Sequence, residues 1–390
     1  MTSFLAVTDE GTLTARGEAV VAQKFLPRSE YTPGEGGGGE TLPSYAAGER
    51  AHTWLAPVYN GGAPSVARIA GQVNAARHAD ADCHLVAVGD SKTEGYEAGW
   101  GLRYLRGWVG VLRKTLSAVE GAVPARPTAS DNRWTLTNMG EGNSAQIGIL
   151  PTASGAWSVT FAFDTVHTGG SFWAHCAAGG TVSVTVDGGA AQNLTIPAGN
   201  GFHEITPTVT GDATHTYTLT SSDTVHLALF VPTYTGSPVK VTNLGRGGAR
   251  ADYWQAGYSA TQTGLWDVLQ IVDATALLVQ LGTNQRGNSG SNNATDLHAL
   301  WSQLDGLNLP SVMIAPGGLR LTGGSKGDYP PMYAALWDIA DDYNLPLLDL
   351  QSVIGDYATA DAAGLMFDDP HENAIGYAYG AAAIRKLIGI

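Results

Sequence analysis

At 390 residues the chain exceeds the roughly 100–200 residues of an ordinary domain, so two or three folded units are expected. Hydrophobic residues make up 44% and charged residues 14%, which excludes a disordered chain, and no apolar run approaches the roughly 20 residues that span a bilayer. A formal charge of −14 opposes phosphate backbones, so nucleic acid is not an expected partner.

The N-terminal stretch MTSFLAVTDEGTLTARGEAVV lacks the basic head and sustained apolar run of a secretory signal. Strand material is predicted at residues 19–25, and TPGEGGGGETLPS then reads as a Gly-rich linker, so residues 1–50 form an N-terminal segment. After a Gly-Gly-Ala-Pro turn, Val66, Ile69, Val73 and Ala76 recur at helical spacing. The apolar run 84–88 predicts a strand ending at Gly89-Asp90-Ser91, and 100–119 predicts one helix. Residues 51–126 are therefore the first part of an α/β domain, built to present a residue at the carboxyl end of a strand.

From 127 to 237 the texture changes to period-two alternation, as in Trp157-Ser-Val-Thr-Phe-Ala-Phe and the Thr181–Val186 run before an Asp-Gly turn. This segment predicts an inserted antiparallel β-sandwich, jelly-roll-like, with carbohydrate binding as a candidate role. Residues 238–390 resume α/β alternation. Strands are predicted at 239–243, 276–281, 311–315 and 345–350, and helices near 251–255, 296–304, 333–343 and 374–388. Cys83 and Cys176 fall in different units and read as separate thiols. His167, His175, His203, His215 and His226 lack the tight spacing of a metal site, and no metal or cofactor is expected. Trp157, Phe172, Trp173, Phe202 and Tyr217 read as core residues more readily than as a sugar platform.

Four segments carry chemistry, each just after a predicted strand or before the last helix. Ser91 in Gly89-Asp90-Ser91 is a nucleophile only if a base takes its proton. Asp368 and His371, three apart in Phe367-Asp-Asp-Pro-His-Glu-Asn373, supply a base and a carboxylate to hold its tautomer. Asn243-Leu-Gly-Arg-Gly-Gly248 and Gly282-Thr-Asn284 offer a backbone N–H at Gly248 and a side-chain amide at Asn284 for an oxyanion hole, with the Ser91 N–H as third donor. Asp90, Arg246, Tyr253 and Gln285 are candidate pocket residues, with Arg250 and Trp254 beside them. Asp369 and Glu372 read as solvent-facing neighbours.

These four blocks, in this order, resemble those of the SGNH/GDSL hydrolases over about residues 63–125 and 238–390. The resemblance implies a flavodoxin-like three-layer α/β/α fold, no metal, and hydrolysis of short-chain acyl esters, often acetyl esters on carbohydrate. It implies Ser91 as nucleophile, His371 as base and Asp368 as its partner, with Gly248 and Asn284 completing the oxyanion hole. Two positions depart from the pattern: Gln285 where Asp is common, and Glu372 where Pro often follows the histidine. β-sandwich modules of this kind accompany some carbohydrate esterases and phage tail proteins. The expected partners are thus an acylated, cell-surface carbohydrate and other tail proteins, the expected location is a virion tail or outside the cell, and a homo-oligomer is left open. The alternatives are a non-catalytic receptor-binding tail protein, and a lipase or acyltransferase of the same superfamily.

Overall fold

The computed structural model describes residues 5–7, 13–15, 58–59, 61, 63–78, 81–96, 98–99, 101–141, 146–256, 265–285, 293–320 and 329–389. The strand expected at 19–25 and the Gly-rich linker lie outside the described residues. Two short strands, β1 (Leu5–Val7) and β2 (Leu13–Ala15), pair antiparallel.

Seven strands form the principal sheet: β3 (Val58–Tyr59), β4 (Cys83–Gly89), β5 (Val119–Glu120), β17 (Val239–Asn243), β18 (Ala276–Gln280), β19 (Ser311–Ala315) and β20 (Leu347–Asp349). Their spatial order is β3-β20-β19-β18-β4-β17-β5. All neighbours pair in parallel except β3, which runs antiparallel to β20. Counted in chain order, β4, β17, β18, β19 and β20 lie 2-1-3-4-5 across the sheet, the flavodoxin-like arrangement. The order reverses between β4 and β18, and at such a switch point the loops leaving two neighbouring strands diverge and leave a crevice.

Burial explains why β4 sits at the centre. All seven of its residues are buried, as expected for a strand covered on both faces. Leu85 and Ala87 face one apolar layer, with Ile69, Trp108 and Tyr377 from helices, whereas Val86 and Val88 face the other, with Trp254, Leu297 and Tyr333. The helices are α1 (Pro64–Arg77), α2 (Ser91–Glu94), α3 (Arg103–Arg106), α4 (Trp108–Thr115), α5 (Ala251–Gln255), α6 (Leu265–Ile271), α7 (Asn293–Asp305), α8 (Pro330–Asp342), α9 (Leu350–Ile354), α10 (Tyr357–Ala362) and α11 (Ala374–Leu387). Each buried Val or Leu contributes about 1.5–3 kcal/mol, so these two layers hold the helices against both faces of the sheet.

The single helix expected over 100–119 is instead two, α3 and α4, broken at Gly107, with a strand at its end. Gly107 is extended (φ −64, ψ 160), and a Cβ there would stand 2.8 Å from the Gly95 Cα. The chain breaks where it must pass close to the end of α2. Four short helices, α2, α6, α9 and α10, were not anticipated; each has at most seven residues, too few for a helical period to show in sequence.

The strands between β5 and β17 form two further antiparallel sheets. One has β13 (Gln192–Ile196), β12 (Gly180–Val186), β15 (Ala213–Ser221), β10 (Trp157–His167) and β7 (Trp134–Thr137), in that order. The other has β14 (His203–Ile205), β11 (Gly169–His175), β16 (His226–Thr233), β9 (Ile149–Pro151) and β8 (Met139–Glu141), with β6 (Val123–Pro124) also on β16. β6 thus begins this unit upstream of residue 127. Asp187 and Gly188 both take positive φ at the turn after β12, as the Asp-Gly signal predicts. Trp134, Phe161, Phe172, Tyr217 and Phe230 fill the space between the sheets. Ile147, Ala228 and Leu229 from this unit, however, join the apolar layer of the principal sheet, so the unit packs against that layer while keeping a core of its own.

Among the described residues, no helix is long and apolar enough to cross a membrane. Burial holds His84 down to about 4 and His226 to about 3, so both are neutral in the folded chain. In the unfolded chain they take protons below about pH 6.5, so stability present above that pH is lost as pH falls toward the folded values. Asp90, pushed up to about 6 by burial, acts oppositely over the same window, as do the raised carboxyls of Glu141, Asp296 and Asp349, but His84 and His226, with His167 and His175 also lowered and Glu94 and Glu120 held below the usual carboxylate range, outweigh them. We expect the urea midpoint to fall steadily from pH 7 to 4.5 and to fall less in His226→Gln. A midpoint that rises on acidification would contradict this account.

Candidate active site

Ser91 opens α2 directly after β4, at the switch point. Asp90 is its N-cap: Oδ1 accepts the Lys92 N–H at 3.0 Å, and Oδ2 accepts the Thr283 N–H at 3.3 Å. Gly89 is required by close approach, because a Cβ there would lie 2.0 Å from Thr93 Oγ1 and 2.4 Å from the Gln280 carbonyl oxygen. Gln280 Oε1 accepts from both Thr93 Oγ1 (3.1 Å) and Trp108 Nε1 (2.9 Å), locking the turn beneath Ser91.

His371 comes from the loop before α11, 280 positions away, yet its Nε2 lies 2.9 Å from Ser91 Oγ. Its Nδ1 lies 2.7 Å from Asp368 Oδ1, which also accepts the His371 backbone N–H at 3.0 Å. An ionised carboxylate only accepts, so Nδ1 carries the proton and Nε2 is left to accept from the serine hydroxyl. Asp368 thereby selects the tautomer that a general base needs. The Tyr96 ring lies against the imidazole, centroids 4.4 Å apart. The Ser91 residue is 6% exposed, and the side chains of His371 and Asp368 are 12% and 44% exposed, so the row runs from the floor of the site to its rim.

The segment with Gly248 leaves β17 and the segment with Asn284 leaves β18, the strands flanking β4. Gly248 is exposed with φ +75, a conformation that favours glycine. Its neighbour Gly247 is committed, donating its N–H to Glu94 Oε2 at 2.7 Å. Asn284 Nδ2 donates one hydrogen to the Ala249 carbonyl at 3.1 Å, which ties the two loops together and leaves the second amide hydrogen for another acceptor. Among the described residues, no cluster of His, Cys, Asp or Glu is arranged to hold a metal ion.

Several residues sit elsewhere than expected. Asp90 is fully buried and caps α2, so it does not line a pocket. Gln285 is likewise buried, and its Oε1 accepts the Ala251 N–H at the start of α5, which is what the departure from Asp does here. Arg246 is buried at 8% exposure and its Nη1 pairs with Glu141 from β8. Tyr253 stays partly exposed, with the Arg250 guanidinium 4.5 Å from its ring centroid. Glu372 is not solvent-facing: it is 2% exposed and pairs with Lys92. Asp369 accepts from Arg320 Nε at 3.0 Å.

In the inserted unit, Trp157, Phe172 and Tyr217 are buried core residues, while Trp173 and Phe202 pack against the core of the principal sheet. The expected histidines are likewise structural: His167 Nε2 meets the Tyr217 hydroxyl at 2.8 Å, and His215 Nδ1 meets Asp187 at 2.7 Å. Cys83 and Cys176 are both buried free thiols.

Sequence reasoning missed Glu94. It is buried at 2% exposure, takes Arg103 Nη1 at 2.9 Å and the Gly247 N–H, and lies in the field of Arg126 and Arg246. Burial pushes its pKa upward, but the three guanidiniums prevail and hold it below the usual carboxylate value. Its place three residues after Ser91 was the only signal, and its loop partner lies 153 positions away.

No family model matches the chain, and no curated protein matches it. Among solved structures, a peptidoglycan O-acetylesterase is similar at a TM-score of 0.59 and 16% identity, covering 85% of this chain and 97% of that one. A lipolytic protein of the G-D-S-L family from Desulfitobacterium hafniense has a TM-score of 0.39 and 11% identity, with 78% of this chain and 99% of that one covered. An acetyl xylan esterase has a TM-score of 0.31 and 18% identity over 38% of this chain and 80% of that one. The principal sheet in 2-1-3-4-5 order, with helices on both faces and the four motif blocks at its carboxyl edge, is a flavodoxin-like three-layer α/β/α fold, and the likeness to the first of these structures is a likeness of fold.

Breaking a buried ion pair from one side costs about 3–5 kcal/mol, so Glu94→Gln is expected to lower stability by about 3 kcal/mol. Faster hydrogen exchange at the Gly247 amide should accompany it. An unchanged urea midpoint with unchanged exchange would show that Glu94 does not hold this loop.

Proposed function

We propose that the chain is a serine esterase of the SGNH/GDSL type that hydrolyses short-chain acyl esters, O-acetyl groups on carbohydrate above all. The observation that carries this is the row Asp368–His371–Ser91, with contacts of 2.7 and 2.9 Å along it. In the reaction, Ser91 Oγ bonds to the ester carbonyl carbon while its proton passes to His371 Nε2, and Asp368 stabilises the imidazolium. The negative charge arising on the carbonyl oxygen is met by the Ser91 and Gly248 N–H groups and the second Asn284 amide hydrogen, each worth about 3 kcal/mol in the transition state.

Collapse breaks the bond to the sugar oxygen, which leaves with the proton from His371. Water then adds to the acyl-serine while giving one proton to His371; collapse breaks the bond to Ser91 Oγ, which takes that proton back, and the carboxylic acid released loses its own proton to solvent. No step needs a redox or metal partner. Acetyl-carbohydrate as substrate is supported by the likeness to a peptidoglycan O-acetylesterase. It is further supported by a site that opens at the surface, where Gly248 is exposed and Asp368 half-buried.

The test is hydrolysis of p-nitrophenyl acetate, followed by acetate release from O-acetylated peptidoglycan. Ser91→Ala should lower the rate by at least about 1,000-fold, since the acyl-serine can no longer form. Equal rates for wild type and Ser91→Ala would contradict the proposal and favour a binding role for the inserted sandwich.

A further inference from the structure

The nucleophile turn and the histidine loop are joined by a contact that the reaction does not use. Lys92, directly after Ser91, is fully buried, and its Nζ stands 2.7 Å from Glu372 Oε2, directly after His371. The same ammonium donates to the Pro370 carbonyl at 2.5 Å and to the Gly317 carbonyl at 3.0 Å. Pro370 and Glu372 bracket His371, so one cation grips the histidine loop on both sides of the catalytic ring. Among the described residues, Lys92 is the one partner of Glu372 Oε2, which is otherwise buried without a hydrogen bond.

We infer that Lys92 and Glu372 are positioning residues, an ion-pair clamp that holds the His371 ring in register with Ser91; this rests on the esterase reading above. An isolated buried pair is weak evidence for stability, because an apolar pair of similar volume often serves as well. What an apolar pair cannot supply is direction. Lys92 offers three donors from one point to acceptors on two loops, and Pro370 and Gly317 would lose theirs. A ring free to rock by even 1 Å loses the alignment that proton transfer needs, which lowers kcat and leaves substrate binding untouched. Glu372 therefore fits its departure from the family pattern: Pro at that position would remove the carboxylate that pairs directly with the buried Lys92 ammonium.

The variants are Lys92→Met/Glu372→Leu, which removes both charges, and the near-isosteric Glu372→Gln, which carries the test if the double variant does not fold. Each is read by its urea midpoint, by kcat and KM on p-nitrophenyl acetate, and by the low-field proton signal of His371 Nδ1–H bonded to Asp368. That signal is identified by its absence from His371→Gln. We expect kcat to fall at least tenfold with KM within twofold, and the low-field signal to broaden or vanish, in variants that remain folded. Wild-type kcat together with a sharp low-field signal in a folded variant would overturn the clamp, as would the absence of that signal from wild type. The proton signal needs no substrate, so a wild type inactive on esters would defeat the esterase reading while the clamp is still tested.

Discussion

A single hydrogen bond, from the Ser91 hydroxyl to His371 Nε2, joins parts of the chain 280 residues apart, and most of the fold serves to hold its two ends still. On the serine side the support is deep. β4 is buried along its full length, Gln280 accepts two hydrogen bonds beneath the turn, and Asp90 caps the short helix while reaching the neighbouring loop at Thr283. On the histidine side the support is a loop anchored on the last helix, where Asn373 caps α11 through the Ile375 and Gly376 N–H groups. Rigid strand ends position a nucleophile better than loops do, and this asymmetry explains why the loop side carries extra polar ties.

The inserted sandwich is fixed to the principal sheet rather than tethered to it. Arg133, held by Asp131, makes a charge-assisted bond to Glu120 of β5, and Tyr234 donates to the Glu120 carbonyl at 2.6 Å. Glu120 is pulled down to about 2: burial opposes ionisation, but Arg113 and Arg133 more than offset it. Because such a junction keeps its charges only while all partners are present, the sandwich and sheet are coupled in stability. Arg126 extends the connection to the site, donating to the carbonyls of Asn243 and Gly245 in the loop that carries Gly248.

Much of this was legible in sequence because it depends on local periodicity and short motifs. The strands β4, β18 and β19 are near-continuous apolar runs, and the sandwich strands alternate, β10 most regularly at Trp157–Phe163. The pairing of Asp368 with His371 followed from a three-residue spacing. What escaped was set by contacts distant in sequence. Gly107 breaks a helix because it meets Gly95, and Glu372 is buried because Lys92 lies opposite it. Gln285 reads as a departure in a motif until Ala251 is seen to donate to it. A sequence displays each of these residues but not its partner, and the partner decides whether a charge faces water or the core.

The central claim is that the Ser91 hydroxyl is activated by His371. The most direct measurement is covalent labelling by a fluorophosphonate ester, which reacts with an activated serine, followed by peptide mass spectrometry. The account predicts one phosphonyl group per chain on the peptide containing Ser91, and loss of that label in His371→Ala with the fold retained. Labelling that is absent, falls on another residue, or persists undiminished in His371→Ala would contradict it.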